Sequence, residues 1–171
     1  MKPALIRRMP LAWQAGIIRW GFNWHPAYRG TGARVDYVSP DITHIRVRLS
    51  LNRRTRNMVG SLFGGSLFAA TDGPHPMLLM WGLGPDYIVW DKAASIRYRK
   101  PGRSTLHGDF HIGPEEIARI RTQLETEPEM DCIYTVDLKD AEGVVHATVE
   151  RTLYIARKNH YKQKTAGGER K

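Results

Sequence analysis

The sequence predicts an α+β domain in which a six-stranded antiparallel sheet wraps around one long central helix, with an extra N-terminal helix ahead of it. Three observations point there. Strand patterns come in runs instead of alternating with helices. One stretch, from about Gly64 to Trp81, is small or apolar almost throughout, as a helix buried on most sides must be. The 171 residues, 42% hydrophobic and 25% charged, suit one domain that buries a core and exclude a disordered chain. No apolar run is long enough to span a bilayer.

The first element follows Pro10, a residue suited to a first helical turn. Leu11, Ala15, Ile18 and Phe22 fall at i, i+4, i+7 and i+11, the stripe of a helix packed on its own domain. Gln14, Gly16 and Arg19 interrupt the apolar region, so it does not read as a secretory signal. Tryptophans and arginines alternate there, which leaves a membrane-surface role open, ranked below packing. Residues 32–40 and 43–52 read as strands. In the second, Ile45, Val47, Leu49 and Leu51 alternate with Arg46, Arg48, Ser50 and Asn52. The buried helix follows and stops at Gly82 and Gly84-Pro85. Residues 86–99 and 104–112 are the next strands, and Pro114-Glu115-Glu116 opens a helix to about Glu125. Two final strands, about 130–139 and 143–156, are joined by the hairpin signal Asp140–Gly143.

Charge divides the chain into three. Residues 1–34 carry +6 with no acid, residues 156–171 carry +5, and the stretch between carries −2. The high basicity therefore belongs to the ends, not to one face of a folded domain, and nucleic acid is not an expected partner. The expected division is 1–31 for the first helix and lead-in, 32–157 for the main domain, and 158–171 for a basic, disordered tail. One cysteine excludes an internal disulfide and fits a cytoplasmic protein.

The most specific segment is Asn57-Met-Val-Gly60-Ser-Leu-Phe63-Gly64-Gly65, with Asp72 seven residues after Gly65. Two glycines opening a helix leave free N–H groups that a ligand can approach closely. The helix N-terminus adds partial positive charge, so the pattern makes a site for a carbonyl that becomes an oxyanion. Asp72 is the one acid in an apolar helix. It reads either as a functional carboxylate or as a residue ending the helix before Gly73-Pro74. Pro74 and Pro76 remove the N–H groups that would bond the carbonyls of Ala70 and Asp72, which predicts a kink there.

These residues resemble the hot-dog fold, in particular its phenylacetyl-CoA thioesterase-like branch. The run from Trp24 to Pro101 is also similar to an uncharacterised bacterial hot-dog family. That family has an Arg-Asn-x-x-Gly-x-x-Phe-Gly-Gly block and a later Asp-Lys-Ala-Ala, here Asp91-Lys92-Ala93-Ala94. The resemblance implies a homodimer, or a dimer of dimers, with sites between subunits. It implies that Gly65 N–H polarises a thioester carbonyl, that Asn57 positions the carbonyl or a water, and that Asp72 acts as base or nucleophile across the interface. The expected function is hydrolysis of an acyl-CoA thioester without a metal or redox cofactor, coenzyme A entering only as part of the substrate. The alternative is a non-catalytic acyl-CoA or fatty-acyl binder. The branch usually carries His before Gly-Gly, where this chain has Phe63, so any polar role of that histidine is missing.

Gly64 is grouped with the coenzyme A contacts. Arg53, Arg54 and Arg56 could pair with coenzyme A phosphates, with Arg97, Arg99, Lys100 and Arg103 as further cations. His107, Asp109 and His111 share one strand face with zinc-ligand chemistry, but read as the wet side of a half-buried strand. His75 stands three residues after Asp72, within pairing reach along an unbroken helix. Cys132 and the five tryptophans read as packing, with the wall of an acyl pocket as the alternative for one tryptophan.

Overall fold

The computed structural model describes residues 6 and 9–168. In chain order the elements are α1 (Leu11–Trp24), α2 (Pro26–Gly30), β1 (Ala33–Val38), β2 (His44–Leu49), α3 (Gly64–Ala69), α4 (Pro74–Leu83), β3 (Tyr87–Tyr98), β4 (Leu106–His111), α5 (Pro114–Thr126), β5 (Glu129–Lys139), β6 (Val145–Arg157) and α6 (Lys158–Gly168). The six strands form one antiparallel sheet in the order β1-β2-β4-β5-β6-β3. Alternation fixes which face is inward. Ile45, Val47 and Leu49 of β2 are buried, and they pair with Phe110, Gly108 and Leu106 of β4, also on the inner face. Gly108 leaves room for its neighbours, since a β-carbon there would lie 2.9 Å from Leu138 Cδ2 and 3.3 Å from Phe110 Cε2 and push those side chains aside.

The wrapped helix comes in two pieces. Ala70–Gly73 separates α3 from α4, and Gly73 adopts φ +98°. The cause is the one the prolines predict. Ala70 and Asp72 have no helical donors for their carbonyls, so the helix cannot continue unbroken. The stranded Ala70 carbonyl is taken by the buried Tyr28 hydroxyl at 3.0 Å. Tyr28→Phe keeps the ring and strands that carbonyl. The expected loss is about 1–3 kcal/mol, read from a urea midpoint.

The C-terminal tail is a correction to the expected disorder. Lys158–Gly168 is helical. Tyr161 meets Trp90 edge-on at 4.9 Å, Trp90 stacks on Tyr154 at 5.0 Å, and Lys164 pairs with Glu129 at 2.7 Å. A charged sequence with one aromatic in eleven residues conceals this docking surface. Residues 169–171 lie outside the described residues.

β3 occupies the sheet edge, and among the described residues only β6 pairs with it. Most of it beyond Asp91 is exposed, including Tyr98. No helix among the described residues is long and apolar enough to cross a membrane.

Candidate functional site

The break between α3 and α4 positions Asp72. Its side chain is 66% exposed, and it lines a cavity of about 830 Å³ between α1, α2 and the central helices. Ile17, Trp20, Tyr28, Met77 and Trp81 supply much of the wall, so the carboxylate stands at the edge of an apolar chamber. Trp81 and Trp20 are the tryptophans of this wall; Trp13, Trp20 and Trp24 are 60–67% exposed, which corrects the expectation that they pack inside.

Asp72 is not electrostatically alone. Arg151 of β6, only 4% exposed, places Nη1 3.9 Å from Asp72 and 3.1 Å from Asp91. Its Nε and Nη2 donate to Thr71 Oγ1 at 3.2 Å, Nη2 donates to the Phe68 carbonyl at 3.3 Å, and its guanidinium lies 5.2 Å from the Phe68 ring centre. The guanidinium thus ties the helix break to the sheet. The contact with Asp91 lacks hydrogen-bond geometry, which leaves Asp91 Oδ1 a buried oxygen without a donor. Burial pushes the Asp91 carboxyl above its ordinary range; the neighbouring Asp72 carboxylate adds to this, and Arg151 opposes it. Burial also pushes the Tyr28 phenol up, with Asp72 contributing.

Sequence reasoning missed both Arg151 and the role of Asp91. The signal was present in β6. Val149, Arg151 and Leu153 share the buried face, so the period-two pattern turns a charged residue inward.

The N-terminus of α3 has no side-chain cap, and the Phe63 carbonyl accepts from Leu67 N–H as the helix begins. The room at the glycines is partly filled by this chain's own aromatics. A β-carbon at Gly64 would lie 2.8 Å from the Tyr98 hydroxyl, and one at Gly65 would overlap the Phe63 ring. Asn57 is engaged in its own loop. Its Oδ1 accepts from Val59 and Ser61 N–H at 3.1 and 3.0 Å, and its Nδ2 donates to Ser61 Oγ at 2.9 Å. These bonds make Asn57 a staple of its own loop.

Solved structures share this architecture. PA5026 from Pseudomonas aeruginosa, a protein of unknown function and probable thioesterase, matches with a TM-score of 0.73 at 18% identity, over 83% of this chain and 95% of that one. OLEI01261 from Chlorobaculum tepidum, of unknown function, gives 0.66 at 15%, over 86% and 97%. The thioesterase HI1161 from Haemophilus influenzae gives 0.59 at 14%, over 79% and 85%. The fold is the hot-dog fold. No curated protein matches the chain. The family described as Domain of unknown function (DUF4442) matches residues 15–155. The chain belongs to the DUF4442 family.

Other candidate residues of this DUF4442 domain fall in three places. Arg53, Arg54 and Arg56 are exposed on the loop after β2, and Arg53 and Arg56 line a groove with Asn57–Gly60. Arg97 and Arg99 lie at the β3 edge and its end, where Arg99 donates to Thr148 Oγ1 at 2.9 Å. Among the described residues none of these five makes an ion pair with an acid. Asp109 and His111 gather with His44 of β2, not with His107. His44 Nε2 lies 2.6 Å from Asp109 Oδ1, the two histidine rings stack at 3.9 Å, and Arg46 Nε donates to the same Asp109 oxygen at 2.8 Å.

His75 turns away from Asp72. The break rotates it into the core between Phe110 and Tyr134, 3% exposed, with Nδ1 unpartnered. Burial pushes its pKa down to about 4, with smaller contributions from the Arg151 and His111 charges. The unfolded chain takes up this proton near pH 6.5, but the folded chain only near 4. Stability supplied by neutral His75 is therefore complete above pH 6.5 and declines as the pH falls toward 4. His75→Phe should remove about 2–3 kcal/mol of the loss between pH 7 and 4.5, measured by urea melts at both values.

Proposed function

We propose that this DUF4442 domain hydrolyses an acyl-CoA thioester at a site shared by two subunits. The observation that carries the reading is the placement of Asp72, an accessible carboxylate fixed at the wall of an apolar cavity and steadied from behind by a buried arginine. Fold likeness to a thioesterase supports it.

The reading puts the two groups on different subunits because they stand at opposite ends of α3 in one chain. Gly65 lies in its first turn and Asp72 beyond its last, and the helix between Gly65 and Ala70 alone spans about 7.5 Å, too far for both to flank one carbonyl. The long unpaired edge of β3 offers the surface for a homodimer, since exposed strand edges favour further pairing. In the proposed reaction Asp72 takes a proton from water, and the water oxygen bonds the thioester carbon. The carbonyl electron pair moves to oxygen, where the N–H of Gly65 of the partner subunit meets the charge. The C–S bond then breaks. Coenzyme A leaves as thiolate and takes the proton from Asp72, and the acyl group leaves as a carboxylic acid. The cavity holds the acyl chain, and the arginines beside the 57–60 loop meet the phosphates.

Hydrolysis across a panel of acyl-CoA chain lengths tests the reading; no turnover of any member overturns it. Arg53→Ala with Arg56→Ala should raise KM about tenfold while leaving kcat near its original value, because the phosphates lie far from the bond broken.

One observation favours a second reading. The Phe63 ring lies against Gly65, where the related branch has histidine, and an apolar ring there suits a non-catalytic acyl-CoA binder. Saturable binding of acyl-CoA with no product would establish that alternative.

A further inference from the structure

We propose that α1 docks on an anionic lipid surface through a stripe of Trp13, Ile17, Trp20 and Trp24. At 100° per residue these four fall within one narrow sector of the helix. Trp13, Trp20 and Trp24 are 60–67% exposed, and Trp20 and Trp24 lie ring to ring at 5.8 Å. A surface helix ordinarily has one apolar face. This one has two. Gln14, Ala15 and Ile18 are buried on the other side, beside β1. Asn23 clamps that side in place, donating to the Val35 carbonyl and accepting from Val35 N–H, both at 2.9 Å. The helix therefore cannot roll to hide its tryptophans.

Charge selects the occupant. Six basic residues and no acid fall in residues 1–34. Arg29 lies over the Trp24 ring at 5.8 Å, Arg19 is exposed on α1, and Lys158 stands at the cavity wall. Tryptophan with flanking cations is the composition that partitions into the headgroup layer of acidic bilayers. A second copy of this chain would bring like charges together across the same stripe, which disfavours that occupant. Position supplies the third reason. Ile17 and Trp20 belong both to the stripe and to the wall of the 830 Å³ cavity. A docked helix therefore places the apolar chamber next to the source of acyl chains. At fourteen residues, with Gln14, Arg19 and Asn23 among them, α1 lies on a bilayer and cannot cross it.

Vesicle flotation of the full chain at low salt tests the docking directly. One set of vesicles is phosphatidylcholine alone, and the other contains about a quarter phosphatidylglycerol. The full chain should float with the acidic set, at least about tenfold more strongly than with the neutral set, and release as salt rises. The variant with Trp13→Ser, Trp20→Ser and Trp24→Ser should lose about tenfold or more of that binding. Should it fail to fold by circular dichroism, quenching of the unaltered chain's tryptophan emission by brominated lipid tails gives the same answer. Failure to float on acidic vesicles overturns the proposal, as do equal flotation of a folded triple variant and absence of quenching. So does lipid-free dimerisation that the triple variant abolishes, which would give the stripe to a second copy. No readout involves turnover, so the outcome is separate from that of the hydrolysis assay.

Discussion

Asp72→Asn should lower kcat for acyl-CoA hydrolysis by about a hundredfold to ten-thousandfold, with KM nearly unchanged. The amide matches the carboxylate in size but takes no proton from water. Because the side chain is 66% exposed, the substitution should leave stability within about 0.5 kcal/mol, so a loss of rate cannot be assigned to unfolding. KM should hold because the cavity wall and the loop arginines are untouched. Steady-state kinetics beside a urea melt reads both quantities. An unchanged kcat would remove Asp72 from the reaction.

Arg151→Met carries the second large effect, and on two readouts. Its guanidinium is 4% exposed and holds Thr71, the Phe68 carbonyl and Asp91 together. Removing one member of a buried ion pair costs about 3–5 kcal/mol when the partner stays charged. Asp91 already titrates above its ordinary range, so protonating it softens the penalty. A loss of about 3 kcal/mol is expected, part of it returned by adding Asp91→Asn. A purely structural arginine would do only this. As a positioning residue for Asp72, Arg151 also supplies the cation beside the carboxyl pair. Its loss should lower kcat about tenfold with KM nearly unchanged, because Asp72 loses the cation that steadies it while the cavity wall stays intact. A destabilised enzyme with unchanged kcat would restrict Arg151 to holding the fold.

These effects show where the sequence was readable. Strand patterns such as Ile45-Val47-Leu49 and the prolines at 74 and 76 act locally, through alternation and missing donors, so the sheet and the helix break could both be anticipated. What answers the break was not local. Tyr28 lies 42 residues from the Ala70 carbonyl that it satisfies, and Arg151 lies 80 from Thr71. Asn57 shows another gap: its place in a recognisable block suggested chemistry, and the hydrogen bonds that it makes within its own loop could not be read from that block. His75 is within reach of Asp72 only along an unbroken helix, and the break sends it into the core instead. Of the stripe Leu11, Ala15, Ile18 and Phe22, Ala15 and Ile18 are buried and Phe22 half-buried, while Leu11 at the first turn is exposed; the tryptophans, read first as packing, lie on the opposite, exposed side.

A mixed dimer tests the shared site most directly. One chain carries Asp72→Asn and the other Gly65→Ala, each with its own tag, and the heterodimer is isolated through both tags. Gly65→Ala keeps the N–H but adds a β-carbon that overlaps the Phe63 ring and crowds the approach to it. Either homodimer therefore has one component of every site lost or blocked, whereas the heterodimer unites an intact Asp72 with an intact Gly65 in one of its two. The expected result is about half the wild-type kcat from the heterodimer and almost none from either parent. A heterodimer as inactive as its parents, beside an active wild type, would contradict a catalytic carboxylate and amide drawn from different subunits.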